Sequence, residues 1–297
     1  MSDYATPIAF RAAVETRLRR GTSGAAFQRK RQVFVFGRFI ARLIAHFGDQ
    51  VVVKGGLALE LRLERARTTK DIDLVIFGDG GSLLERLQAA GQLDLGDFFS
   101  FEVAPDGDIT GDGVVYGGRH FRVHCRLGGK TYAHFPIDVA LGGVMLGAAS
   151  RVVYPDDLSF VGIAPPVVRI LPVSTHIAEK LHAYSMQRAT TNFRVRDLPD
   201  LALLATVDER LDRRTLRAAL ALTFEARKTH SVPSTLSAPP ASWEKTYADL
   251  ATENDLPWKT LPEVFAAARA FIDPVLAEDG DATWSTEAWT WMTGRSP

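Results

Sequence analysis

The chain has 297 residues, with 35 basic and 35 acidic side chains and a formal net charge of zero, which argues against a protein that coats long nucleic acid through bulk charge. Hydrophobic residues make up 46% and charged residues 24%, the composition of an ordinary globular protein of one large or two ordinary domains. No apolar run reaches the length of a transmembrane helix, and the first residues, MSDYATPIAF, lack the basic start and apolar core of a secretory signal. The single cysteine, Cys125, has no disulfide partner and no metal-ligand spacing, so it is expected as a small core residue of a cytoplasmic protein.

In chain order, residues 7–47 read as helical. Gln28–Phe47 places Val33, Phe36, Phe39 or Ile40, and Leu43 or Ile44 on one face, and Gly48 stops the run. Arg11, Arg17, Arg19, Arg20, Arg29, Lys30, Arg31, Arg38 and Arg42 crowd this region, opposed only by Asp3 and Glu15. Two readings stand: a solvated helix face, or an electrostatic guide for an RNA backbone.

The stretch Val51–Phe77 carries the chemistry. Val51, Val52 and Val53 suit a buried strand. Lys54-Gly55-Gly56 then turns the chain into the helix-forming run Leu57–Leu63. A basic link, Arg65–Lys70, leads to a second strand, Asp71–Phe77. A glycine pair at a helix start lets backbone N–H groups approach a phosphate. Asp71 and Asp73 are two apart on a strand, so they share a face and suit a divalent cation, with Ile72 in the core between them. Either motif alone is weak; together, with a helix between, they point to metal-dependent phosphoryl or nucleotidyl transfer.

Beyond the strand, Gly78-Asp79-Gly80-Gly81 reads as a loop, Ser82 with Glu85 as a capping box, and Phe98–Val103 as a strand. Asp106–Gly111 begins like a calcium loop but lacks the closing glutamate, so it reads as an acidic turn. His120–Leu127 and Lys130–Leu141 form a hairpin about Gly128-Gly129. Asp138 is a lone acid in the return strand, and Pro136 suggests that this strand lies at an edge or begins there. Val152–Pro155 and Val167–Val173 are short strands.

The second half turns helical. Ser174 or Thr175 caps a helix in which Ile177, Leu181 and Tyr184 form the buried stripe, and Lys180 borders it with its ammonium toward a cleft. Asp197 and Asp200 lie three apart at the next helix start, with Pro199 between them. Residues 201–228 and 258–277 are helix-like. His230–Trp243 reads as a packed loop, and Glu278–Pro297 as a docked tryptophan-bearing end.

K-G-G-x-A-L-x-L-R followed by R-T-T-K-D-I-D-L, with the later E-K-L-H-A and R-x-x-D-L-x-D-L, resembles the AbiEii/AbiGii nucleotidyltransferase toxins, a family that includes the mycobacterial MenT toxins within the polymerase β-like superfamily. The resemblance implies a third carboxylate, for which Asp138 fits, helping to hold metal and draw the acceptor's proton. It implies a triphosphate contact for Lys180 and a functional aspartate aligned best with Asp200, with Asp197 its neighbour. It implies nucleotide binding at Lys54, Gly55, Gly56 and Arg67. It also implies Mg²⁺ (or Mn²⁺) as cofactor, an NTP as substrate, the acceptor end of tRNA as target, and a cognate antitoxin. Thr69 stands two before the first acid, where some relatives are phosphorylated by the antitoxin. Leu57 departs from the pattern, since relatives often carry Ser or Thr after the glycines.

The expected fold is α/β (α+β): a polymerase β-like domain with a mixed sheet over residues 1–165, then a helical half over residues 166–297 that completes the cleft. The expected activity is transfer of NMP from an NTP to the 3′ end of tRNA, blocking aminoacylation and growth, with no membrane association. The alternatives are a transferase acting on a small hydroxyl compound or protein, and a non-catalytic nucleotide- or RNA-binding module.

Overall fold

Thr6 opens the first helix by accepting a hydrogen bond from the Ala9 amide at 3.3 Å, with Pro7 in the first turn where its missing N–H costs nothing. This helix, α1 (Pro7–Arg19), packs on α2 (Gly24–Phe47), which ends where Gly48 takes a positive φ. The computed structural model describes residues 4–22, 24–63, 68–78, 81–109, 118–155, 157–186, 194–207, 210–277 and 279–293. Arg67 and the Asp79-Gly80 pair lie outside the described residues, as do the last two residues of the expected acidic turn.

The chain continues through β1 (Val51–Lys54), α3 (Gly55–Arg62), β2 (Ile72–Ile76), α4 (Leu83–Gly91), β3 (Phe99–Ile109), β4 (Gly118–Leu127), β5 (Lys130–Leu141), β6 (Ser150–Val153) and β7 (Val167–Ile170). These strands form one mixed seven-stranded sheet in the order β3-β4-β5-β2-β1-β7-β6. Strand β2 runs antiparallel to β1 and parallel to β5. A mainly helical layer follows: α5 (Val173–Ser185), α6 (Asp197–Leu204), α7 (Arg213–Arg227), α8 (Glu244–Glu253) and α9 (Leu261–Ala277), closed by the hairpin β8 (Thr283–Ser285) and β9 (Thr290–Met292).

Two main apolar clusters hold these parts. One joins α1, α2 and α4 to the sheet through residues such as Phe36, Phe39, Phe101 and Ile137. The other lies among the later helices and takes in Leu59 of α3, so α3 touches both layers. Cys125 is buried in the first cluster. Strand β7 pairs with β1, so the sheet runs past residue 165 and the helical layer begins at α5.

Several local expectations change. Arg38 and Arg42 do not face solvent or RNA. Arg38 Nε meets Asp97 Oδ2 at 2.7 Å, Arg42 Nη2 meets Asp97 Oδ1 at 2.6 Å, and all three side chains are buried. Arg42 also donates to the Phe99 carbonyl at 2.6 Å, and Arg29 and Arg31 pair with Glu60 and Glu15. The forked guanidinium satisfies a carboxylate and a carbonyl together, which makes burial tolerable. Ser82 adopts a left-handed conformation without a side-chain cap bond, so the capping box does not form. Strand β3 continues through Asp106, with a register shift between Pro105 and Gly107, and Asp106 pairs with Arg122 at 2.6 Å rather than closing a turn.

Strand β5 lies inside the sheet. Pairing with β2 begins only at Ile137, so Pro136 sits just before it, where no β2 carbonyl needs a donor. The α5 cap is Pro172 without a side-chain bond, and the Thr175 hydroxyl accepts from the Leu146 amide at 3.1 Å instead. The helix expected over 201–228 divides, because α6 ends at Leu204 and α7 starts at Arg213. Trp284 and Trp291 donate to the backbone carbonyls of Ala205 and Phe271, each at 2.8 Å, and serve packing.

Asp97→Ala leaves two guanidiniums buried without their shared carboxylate. Chemical denaturation of this variant is expected to show a loss of about 3–5 kcal/mol. A change under 1 kcal/mol would mean that the triad contributes no more than a surface pair.

Candidate active site

The alternation of β2 determines where its acids point. Ile72 and Leu74 are fully buried, so Asp73 projects from the opposite face. Its antiparallel partner on β1 is Lys54, and its parallel partner on β5 is Asp138. Lys54, Asp73 and Asp138 therefore form a row across three adjoining strands.

The next residue after Lys54 is Gly55, with φ +60°, and a Cβ there would lie 1.9 Å from Asp73 Oδ2. Glycine is required at this position both by the backbone and by the close approach of the carboxylate. Gly56 follows inside the first turn of α3 and is buried. Leu57 is fully buried in the sheet-side core, so the position where relatives place a hydroxyl serves packing here.

The helical layer supplies the facing groups. Lys180 Nζ lies 3.0 Å from Asp197 Oδ1 and 2.8 Å from Asp200 Oδ2. Asp200 is fully buried, and the Asp197 side chain is nearly so. Glu179 pairs with Arg227 at 3.1 Å and approaches Lys54 at 3.8 Å, tying the helical layer to the sheet.

A cavity of about 240 Å³ lies between these parts. Lys54, Gly55, Asp73 and Asp138 line it from the sheet; His176, Glu179, Lys180, Arg194, Asp197 and Arg227 line it from the helical side. Asp71, Thr69, Gly56 and Asp200 do not reach the wall. Thr69 is buried, and its hydroxyl donates to Asp71 Oδ1 at 2.6 Å. Asp138 Oδ1 and His120 Nδ1 share a hydrogen bond of 2.5 Å. Asp200 touches Lys180 without reaching the cavity, whereas Asp197 both pairs with Lys180 and faces the cavity.

The electrostatics follow from this packing. Burial pushes the Asp73 carboxyl up to about 6, and the charges of Asp71 and Asp138 push the same way, against Lys54 and Lys180. Burial would raise Glu179 as well, but Lys54 and Arg227 outweigh it and hold this carboxyl below its usual value. The wall carries four cationic and four acidic side chains, so it does not by itself neutralise a triphosphate.

Whether the residues suit a divalent cation has a divided answer. Asp73 and Asp138 are neighbouring hard oxygen donors, and the Asp73 carboxyl is raised first by burial and then by the negative charges of Asp71 and Asp138, which a bound cation would offset. Among the described residues, however, no three carboxylate, imidazole or thiol groups are gathered closely enough to hold a metal ion. The three-acid cluster is therefore not drawn to one point: Asp71 is engaged by Thr69, and Asp138 by His120. The adjoining pair fits a hard cation in kind, with Asp71 in electrostatic reach.

Residues that the sequence did not single out are His120, His176, Glu179, Arg194 and Arg227. His120 faces Asp138 across the hairpin. A register shift at Cys125/Arg126 defeats a simple count from the glycine turn, which would place Arg119 there instead.

A mixed sheet that sets acids of adjoining strands beside a glycine turn, faced by a lysine from a helical layer, is an arrangement suited to nucleotidyl transfer. A family model described as "Nucleotidyl transferase AbiEii toxin, Type IV TA system" matches residues 38–287, and the chain belongs to this family: it is a nucleotidyltransferase toxin of a toxin–antitoxin system. The fold is also that of MenT4, a nucleotidyltransferase toxin from Mycobacterium tuberculosis H37Rv, with a TM-score of 0.55 at 16% identity over 96% of this chain and 93% of that one. The structure of JHP933 from Helicobacter pylori aligns with a TM-score of 0.45 at 14% identity over 82% of this chain and 93% of that one. No curated protein sequence matches significantly.

The Asp73 carboxyl yields a pH prediction. Its folded value, about 6, lies above the ordinary 3.8, so the folded state holds the proton more tightly. This contribution to stability is present at low pH and is lost as pH rises through 6. Without added metal, Asp73→Asn is expected to melt roughly 2–4 °C higher than the parent at pH 8 and to show a weaker decline between pH 4 and 6. Equal melting of the two proteins at every pH would contradict this.

Proposed function

We propose that the cavity transfers a nucleoside monophosphate from an NTP to the terminal hydroxyl of tRNA, blocking aminoacylation and growth. The observation that carries this reading is the row Lys54, Asp73 and Asp138 facing Lys180 across one cavity. The turn at Gly55 and Gly56 brings backbone N–H groups to the phosphates, with Lys54 beside them. The family resemblance adds Arg67, which lies outside the described residues, as a further phosphate contact. Lys180, oriented by Asp197 and Asp200, neutralises charge on the leaving pyrophosphate.

Asp73 and Asp138 would hold Mg²⁺ or Mn²⁺, with the charge of Asp71 nearby, and the cation would supply charge neutralisation at the phosphates. Asp138 draws the proton from the acceptor hydroxyl while its hydrogen bond to His120 orients it. The acceptor oxygen bonds to the α-phosphorus, the bond to the bridging oxygen breaks, and pyrophosphate leaves. The sheet and the helical layer, divided at the start of α5, form the two walls of this cleft. No helix among the described residues is long and apolar enough to cross a membrane.

A second reading, with a small hydroxyl compound or a protein side chain as acceptor, is favoured by one observation. The α2 arginines that suggested an RNA guide are engaged within the fold, Arg29 and Arg31 with glutamates and Arg38 and Arg42 with Asp97. Labelled NTPs, each supplied singly with total RNA and cell extract, separate the two. Label in tRNA is expected; label only in protein or small molecules would move the acceptor assignment. Asp73→Ala and Lys180→Ala are each expected to lower transfer by about 100-fold or more, and unaltered transfer in both would remove the cavity as the active site.

Thr69 is the proposed point of regulation by the antitoxin. Phosphate on its hydroxyl would replace the hydrogen bond to Asp71 with repulsion beside the acids. Thr69→Glu is expected to abolish growth inhibition, and full toxicity in that variant would count against the idea.

A further inference from the structure

His176 lines the cavity and takes no part in the proposed reaction. It occupies the first turns of α5, is fully buried, and forms part of the cavity wall. Neither ring nitrogen has a hydrogen-bond partner among the described residues. A buried imidazole without a partner is an unfilled donor and acceptor, and such groups are uncommon away from functional sites. Lys180 lies four residues further along the same helix, so both side chains leave one face on successive turns.

We propose that His176 is a nucleotide-binding residue, donating a hydrogen bond from a neutral imidazole to a phosphate oxygen of the NTP beside the Lys180 ammonium. The inference rests on the reading of the cavity as the NTP site and adds to it a specific contact. Its surroundings keep the ring neutral: burial first, then the charges of Lys180 and Arg62, push its pKa down to about 3. A neutral donor suits this place. It adds a hydrogen bond to the phosphate without adding a further cation next to Lys180.

The test compares the parent with His176→Phe and His176→Gln. Each of the four NTPs, and inorganic tripolyphosphate, is titrated calorimetrically in the presence of Mg²⁺, and melting is followed in parallel. His176→Phe is expected to bind the NTP and tripolyphosphate about tenfold more weakly, with a matching rise in KM and kcat within about threefold. Its melting temperature should hold or rise, because an unfilled polar group has been removed. His176→Gln, which keeps a donor, should restore most of the affinity.

Unchanged affinity in His176→Phe would overturn the assignment, as would equal losses in both variants accompanied by lowered melting, which would mark a structural role. Failure of the parent protein to bind any of the four NTPs would instead overturn the reading of the cavity, and this inference with it. Binding by the parent that is lost in Asp73→Ala yet retained in His176→Phe would sink the inference alone.

Discussion

Asp73 has room for its carboxylate because residue 55 carries no side chain. Strand β1 ends at Lys54, directly opposite Asp73, and the chain turns at Gly55 into α3 against the carboxylate. On the other side β2 runs parallel to β5, which brings Asp138 alongside. One backbone turn thus sets an acid, a lysine and a helix start within a small space. Any side chain at position 55 would force Asp73 away from this place, and the rest of the cavity is arranged around it.

The remaining groups manage the charge that this crowding creates. Burial and two neighbouring acids outweigh Lys54 and Lys180 and hold the Asp73 carboxyl above the usual carboxylate range. Lys180 is in turn fixed by Asp197 and Asp200. Glu179 joins Lys54 on the sheet to Arg227 on α7, so the two layers meet through ion pairs across the cavity. Such a site is close to balanced before substrate arrives and short of positive charge once a triphosphate enters. That shortage is the physical case for an accompanying cation, and Asp73 with Asp138 is where the donors lie.

Much of this was legible in the sequence because it depends on local pattern. The strand, glycine turn, helix and acidic strand of residues 51–77 could be read in order, as could the hairpin at Gly128-Gly129. What could not be read depends on distant partners. The α2 arginines looked like one basic face, but Asp97, more than fifty residues away in the sequence, draws Arg38 and Arg42 into the core. His120 could not be placed opposite Asp138 because a shift in the hairpin moves the register by one residue. His176 gave no sequence signal, since a histidine within a buried helix is ordinarily a packed core residue. Thr69 stands out in the sequence for its place before the acids, whereas its hydrogen bond to Asp71 and its burial depend on how the chain packs around it.

The central claim is that one cavity, walled by Asp73 and Asp138 on the sheet and Lys180 on α5, holds the triphosphate. A crystal structure of the protein with Mn²⁺ and a non-hydrolysable NTP analogue, with the metal located by its anomalous signal, tests it most directly. Manganese is expected against Asp73 and Asp138, with the phosphates between the Gly55 turn and Lys180. Manganese and nucleotide bound together elsewhere on the molecule, with this cavity empty, would contradict it.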